Sequence, residues 1–292
     1  MNGIKSEHVK IGRSIQKRNQ IIYFTGLTTF VFIWLIPILW TISLSFRTEA
    51  SIQQDLTRIL PIPFTLEHYQ SMLSNGQMVR WLLNSLIVAG SRTVLQLFVC
   101  SLAAYAFARI NFKGKRFLYP LALIGLMVPF QAIFIPLYLI FAQFQLHNTY
   151  IALILPGIAS SFAIFLLFQF FQGIPRDLEE AAFLDGASRF VVYWRVIMPL
   201  STPILTALSI FIFLGTWNEY LWPLVSATDD QMLTITIGLR KLSQIVGGHE
   251  APKYGAQMAA AWVGGLPILI FFLIFQSRII SGIQLTSGIK GG

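Results

Sequence analysis

The chain has 292 residues, of which 55% are hydrophobic, 14% aromatic and only 11% charged. Soluble domains are about 25% charged, so this composition, with a mean hydropathy of +0.67, excludes a water-soluble globular protein and turns the apolar residues toward lipid. The net charge of +9 needs no nucleic acid to explain it, because anionic lipid headgroups attract basic flanking segments.

Crossing a bilayer takes about 20 apolar residues at about 1.5 Å per residue. Six runs reach that length, which predicts an all-α membrane protein with six transmembrane helices. The basic N-terminus, residues 1–20, carries Lys5, Lys10, Arg13, Lys17 and Arg18. The first run, Ile21 to Phe46, is too long for a signal-peptide core and lacks a small-residue cleavage site, so it reads as a membrane helix. In the connection after it, FTLEHYQSML (Phe64 to Leu73) reads as a short capped helix.

The second run, Trp81 to Phe107, contains Arg92 at 11 residues from its start, about 16 Å along the helix and near the bilayer centre. Asn84, Ser85 and Gln96 fall on one helical stripe with Arg92. Such a stripe faces a bundle interior or a hydrated path more often than lipid. Packing against a partner and lining a substrate path are both open readings of it. Cys100, the single cysteine, reads as a small core hydrophobe.

The third run, Phe117 to Phe141, places Gln131 between Pro129 and Pro136, where a kink exposes backbone groups. The fourth is Tyr150 to Phe171. The fifth, Leu200 to Val225, holds Asn218 and Glu219 between Trp217 and Trp222. Leu242 to Lys253, with its glycines, reads as a flexible loop before the sixth run, Ala256 to Phe275. The transmembrane domain is thus expected over 21–275, with a tail at 276–292. Lys and Arg gather in the N-terminus, the second and fourth connections and the tail, which places these segments and both termini in the cytoplasm.

The fourth connection is unlike the rest. RDLEEAAFLDGASRFVVYWRVIMPLSTP, from Arg176, gathers Asp177, Glu179, Glu180 and Asp185. Asp177 stands three residues before Glu180, a capping-box spacing, and the acids of the first turn complement the helix dipole. Gly186 is placed to end the helix in a left-handed cap, and Ser188 to Met198 continues as an amphipathic helix. An ordinary surface loop would carry the same features. Phosphate loops, dinucleotide fingerprints, nucleophile elbows and metal-ligand spacings are all missing from the sequence, and His8, His68, His147 and His249 are scattered. No catalytic centre or metal site is expected, and energy for transport must come from an ion gradient or from a partner.

The spacing Glu180, Ala181, Ala182, Gly186, Val196, Pro199 matches the EAA loop that marks the membrane subunits of binding-protein-dependent ABC importers, with Met198 at a position usually held by Leu. EEAAFLDGASRFVVYWRVIMPLSTP, NSLIVAG from Asn84, AYAFARINFKGK from Ala104, WNEYLWPL from Trp217 and the ending LTSGIKGG resemble the second permease of maltose-type carbohydrate importers.

The resemblance implies a type I importer permease of the bacterial inner membrane, working with a second permease, two ATP-binding cassette subunits and an extracytoplasmic solute-binding protein. In that family the EAA loop, 177–199 here, forms a coupling helix seated in a cleft of the ATPase. Carried over by position, Glu179, Glu180 and Asp185 make polar contacts with the ATPase, Ala181, Ala182 and Gly186 allow close approach, and Pro199 closes the motif. The tail around Lys290 reaches the same interface, and the outer loops at 64–73 and 242–253 meet the binding protein. The chain itself is then no enzyme and holds no cofactor; ATP and magnesium belong to the partners. Asn84, Arg92, Gln96, Gln131, Asn218 and Glu219 are the candidates for a carbohydrate path. The competing class is an ion-driven secondary transporter, which predicts more spans, internal repeats and intramembrane acids.

Overall fold

A computed structural model describes residues 2–74, 76–246 and 253–288. The expectations for Lys290, the last glycines, His249 and residues 247–252 of the glycine-bearing loop lie outside them. Among the described residues the chain is helical, and its only extended pairing is an isolated bridge between Arg47 and Phe64.

Among the described residues, three helices are long and apolar enough to cross a membrane without interruption. They lie within α1 (Asn2–Ser45), α4 (Gln77–Arg109) and α15 (Tyr254–Gly288). Three further spans are bent pairs, which brings the number to six if each pair counts as one. Helices α5 (Lys115–Leu123) and α6 (Phe130–Gln143) meet at 99°. Helices α7 (Tyr150–Ile154) and α8 (Ser161–Gly173) belong to segments that meet at 47°. After α9 (Asp177–Leu184), the segment α10 (Arg189–Val192), a π-helical turn Tyr193–Ile197 and α11 (Met198–Leu200) meets α12 (Thr202–Trp217) at 78°. The expected third and fourth spans are therefore each broken, the 78° bend falls where the amphipathic helix enters the expected fifth, and that span stops at Trp217 before resuming as α13 (Leu221–Ser226).

The breaks follow from residues that cannot continue a helix. Pro129 caps α6 in an extended conformation, Pro156 lies in the turn after α7, and Pro199 and Pro203 flank Ser201. Backbone groups freed in this way must find partners away from lipid. Ser161 Oγ donates to Ala122 O at 2.7 Å, and Thr202 Oγ1 donates at 2.7 Å to Pro199 O, the carbonyl that Pro203 has no amide to reach. Cys100 is fully buried, and its Sγ accepts from the Ser160 amide at 3.4 Å and lies 3.6 Å from Ile158 O. It is more than an apolar filler, because it seats the break between α7 and α8.

Exposure is inverted, as lipid requires. Phe32, Trp34, Met127, Ile135 and Ile274 are all more than half exposed, while the buried interior holds Asn84, Ser85, Gln96, Ser101 and Glu179.

The chain divides into two compact units. One comprises Met1–Ser71 with Val246–Trp262. There α2 (Glu49–Gln54) and the start of α3 (Glu67–Ser74) surround Arg47, which is fully buried. Arg47 donates from Nη1 to Arg58 O and from Nη2 to Ser51 O and Asp55 O at 2.6–2.9 Å. His68 Nε2 lies 2.8 Å from Arg47 O and 3.9 Å from Glu49. The expected short helix in this connection is α3, entered through Thr65, whose Oγ1 accepts from the Glu67 amide.

The other unit comprises Met72–Ile245 with Val263–Gly292. Its spine is α4, which packs chiefly against α8 and α12. Cys100, Ala104 and Ala108 of α4 enter one core with Leu167 and Phe171 of α8, Tyr193 and Ile197 of the π turn, and Leu208 of α12. Helix α14 (Ile235–Val246) takes up the first residues of the segment expected to be a glycine-bearing loop.

Candidate functional site

The acidic loop is a distinct helix, α9, with Asp177, Glu179 and Glu180 in its first turn. The expected capping box does not form. Arg176 is the residue before the helix, Asp177 is already inside it, and no side chain caps the N-terminus. The Glu180 amide is satisfied instead by Arg176 O at 3.0 Å.

The C-terminal end is built as the glycine implies. Gly186 has φ +80°, its amide donates to Phe183 O, and the Ala187 amide donates to Ala182 O, both at 3.0 Å. These are the two bonds of a Schellman cap. Glu180, Ala181, Leu184 and Asp185 are exposed along one flank, with Leu184 at 89%.

Glu179 faces the other way. Its carboxylate is buried and lies 2.8 Å from Nε of Arg109, the last residue of α4. The approach is an ion pair without hydrogen-bond geometry, since Arg109 Nε and Glu179 Oε1 are both buried without a hydrogen-bond partner. Burial pushes the Glu179 carboxyl above its usual range, and Arg109 followed by Arg176 pulls it back without cancelling the shift. Arg109 Nη2 also donates to Phe171 O at 2.6 Å and Ile174 O at 2.5 Å, the carbonyls at the end of α8. A pocket of about 130 Å³ beside this pair is lined by Arg109, Arg176, Glu179, Glu180 and Phe183. From the sequence Arg109 registers only as one of several basic flanking residues. The signal that marks it out is an arginine closing a long helix of small and apolar residues.

The second candidate site gathers around Arg92. Its guanidinium pairs with Glu219, which sits at the interruption between α12 and α13. The backbone of Gly157 approaches so closely that a Cβ there would fall 1.8 Å from Arg92 Nε, a contact only glycine permits. Arg92 Nε is buried without a hydrogen-bond partner. Beside it a pocket of about 210 Å³ is lined by Arg92, Gln96, Ser160, Phe162, Phe211 and Thr216 among others.

Of the sequence-derived candidates, Arg92, Gln96 and Glu219 come together here. The other three lie elsewhere. Asn84 is spent on packing: Nδ2 donates to Gln231 O and Leu233 O at 2.8 and 2.9 Å, and Oδ1 accepts from the Tyr150 hydroxyl at 2.7 Å. Gln131 is exposed in the first turn of α6, and Asn218 is exposed and donates back to Leu214 O. Among the described residues no group of three or more His, Cys, Asp or Glu side chains is placed to hold a metal ion.

Helices of membrane-spanning length, bent spans with satisfied backbone groups and a polar pair within the bundle define a polytopic membrane transport component. Residues 96–283 match the family described as the inner membrane component of binding-protein-dependent transport systems, and the chain belongs to that family. It is 34% identical over 269 residues to the arabinooligosaccharides transport system permease protein AraQ of Halalkalibacterium halodurans, covering 91% of this chain and 95% of that one. It is 34% identical over 278 residues to the trehalose/maltose transport system permease protein MalG of Thermococcus litoralis, covering 94% and 97%. The fold matches a chain in the crystal structure of a bacterial ABC transporter that imports the acidic polysaccharide alginate, with a TM-score of 0.79 at 23% identity over 88% of this chain and 95% of that one.

Proposed function

We propose that this chain is a permease subunit of an ABC importer for a carbohydrate, working with a second permease, two ATPase subunits that bind ATP and magnesium, and an extracytoplasmic solute-binding protein. The observation that carries the coupling role is α9 itself, a short helix with an exposed acidic and small-residue flank, ended by a left-handed glycine cap. That flank, with Glu180, Ala181, Asp185 and Gly186, is the surface that would seat in an ATPase cleft, while Ala182, packed against the core, and Glu179 hold the helix from behind. Residues 21–275 form the six-span body, and the tail and both termini are cytoplasmic, a reading supported by the distribution of Lys and Arg.

The relatives' names, which concern arabino-oligosaccharides and trehalose or maltose, support a carbohydrate as cargo. The pocket at Arg92, Gln96 and Thr216, with Phe162 and Phe211 as ring faces, suits such a solute. An ion-driven carrier would need an intramembrane acid free to take up the ion, whereas Glu219 is paired with Arg92.

Purification of the intact complex through this chain tests the reading. The expected complex contains an ATPase whose hydrolysis rises when the binding protein is added with one of maltotriose, arabinotriose or diacetylchitobiose. A chain that purifies with no ATPase would overturn it.

A further inference from the structure

Arg109 is engaged by three elements at once. It ends α4, its Nη2 holds the terminal carbonyls of α8 at Phe171 and Ile174, and its Nε meets Glu179 on α9. The Arg109 and Glu179 side chains are 6% and 7% exposed, so the pair is shielded from solvent and only weakly screened. A cation at the end of α8 also complements that helix's dipole. One planar guanidinium makes all these contacts together, which a lysine ammonium lacks the fork to do.

The rod to which α9 is fastened differs from its neighbours. Within its unit α4 runs uninterrupted from Gln77 to Arg109, whereas α8 and α12, against which it packs, belong to bent pairs. Seventeen residues before Arg109, about 26 Å along the same helix, stands Arg92 with its partner Glu219. A helix without a break moves as one piece, so a displacement applied at one arginine arrives at the other.

We propose that Arg109 is a positioning residue that clamps α9 to α4 and α8, so that a movement of α9 is delivered through α4 to the Arg92 and Glu219 pair. The proposal rests on the coupling role given to α9 above, and adds the element that carries the motion inward. It assigns Glu179 to the clamp rather than to the partner surface.

The test uses the intact complex in nanodiscs, with Cys100→Ser and spin labels at Val99 on α4 and Leu178 on α9, both of which are partly exposed. Distances are read without nucleotide and after trapping with ATP and vanadate. The expected result is one narrow distance, unchanged between the two states. Arg109→Gln should broaden it and make it state-dependent, and should lower the ratio of binding-protein-stimulated to basal hydrolysis. Arg109→Lys should recover part of both. A general loss of folded complex lowers both hydrolysis rates together and leaves their ratio alone, so the ratio separates positioning from stability. A narrow distance and a normal ratio in assembled Arg109→Gln would overturn the clamp. If Arg109→Gln does not assemble, Glu179→Gln decides by the same two readings: broadening supports the clamp and a parental distance overturns it. If no ATPase is present in the complex, the coupling role falls, and the nucleotide-free label distance still decides whether Arg109 holds α9.

Discussion

Replacing Gly186 by valine separates the shape of α9 from its charge. A Cβ at this position would meet nothing within 4 Å, so no clash contributes to the cost. The cost lies in the backbone, since φ is +80°. An L-residue in the left-handed region costs about 1–2 kcal/mol, and a β-branched one up to about 3. If the chain escapes that strain by reverting to negative φ, it gives up the two cap bonds to Phe183 O and Ala182 O instead, each worth about 1 kcal/mol. Either route disfavours the capped form by about 1–3 kcal/mol, which is about a 5- to 150-fold fall in apparent affinity for any partner that requires it. The assay is titration of the ATPase onto the permease in nanodiscs, with Gly186→Asn beside Gly186→Val. Asparagine tolerates the left-handed region, so it should keep most of the affinity that valine loses. Equal losses in the two variants would refute the argument, because bulk at the surface and not φ would then be at work.

Three further outcomes are expected. Arg92→Leu strands Glu219 in the bundle, at the low end of the roughly 3–5 kcal/mol cost of breaking a buried pair because both side chains are about a fifth exposed. Uptake of the stimulating sugar should be lost while assembly persists. Gly157→Ala, which pushes on Arg92 without removing its charge, should impair uptake in the same direction, and normal uptake in both variants would remove this pair from the path. The Glu179 carboxyl, raised by burial above the ordinary 4.5, binds its proton more tightly folded than unfolded. Its contribution to stability is therefore full below about pH 4.5 and lost as pH rises through the folded value. The thermal midpoint of the complex should fall over that window, and Glu179→Gln should flatten the fall; an identical slope in the variant would show that another group titrates. For orientation, cysteines at Gln77 and Lys113 avoid the positive φ of Gly76 and Gly114. An impermeant thiol reagent added to sealed cells should label Gln77→Cys and spare Lys113→Cys, and labelling of the second would reverse the topology.

Much of the architecture is legible in local sequence because lipid imposes a single requirement on every span, a sustained apolar run. The same uniformity hides the breaks. The run stays apolar on average across Ile158 to Ser160, where α7 and α8 part, and only the Pro156, Gly157 pair and the hydroxyls of Ser160 and Ser161 betray the bend. The stripe through Asn84, Ser85, Arg92 and Gln96 is read correctly as inward-facing from its helical spacing. Its division into two roles is not, because the partners of Asn84 come from Gln231 and Leu233, nearly 150 residues away. In the acidic loop the Gly186 cap depends on local backbone geometry and so shows in the sequence. The inward turn of Glu179 depends on Arg109, which reaches it from a different helix. The absent capping box is a matter of a single residue, since Asp177 enters the helix one position early.

The cage around Arg47 has a consequence for how this protein family can vary. Its guanidinium grips the main-chain oxygens of Ser51, Asp55 and Arg58, atoms that every residue type supplies. The side chains that the connection does demand are few: the Ser51 hydroxyl touches the guanidinium and reaches Ile62 O, the Asp55 carboxylate accepts from the amide and hydroxyl of Thr57, and Trp40 Nε1 donates to Leu56 O. Arg58 and Ile59 are exposed, and Arg58 meets the guanidinium only through its carbonyl oxygen, so these two can be exchanged while the chain keeps its path. A single buried arginine thus does for this segment what a small apolar core does elsewhere, and it leaves the side chains of Arg58 and Ile59 outside the grip.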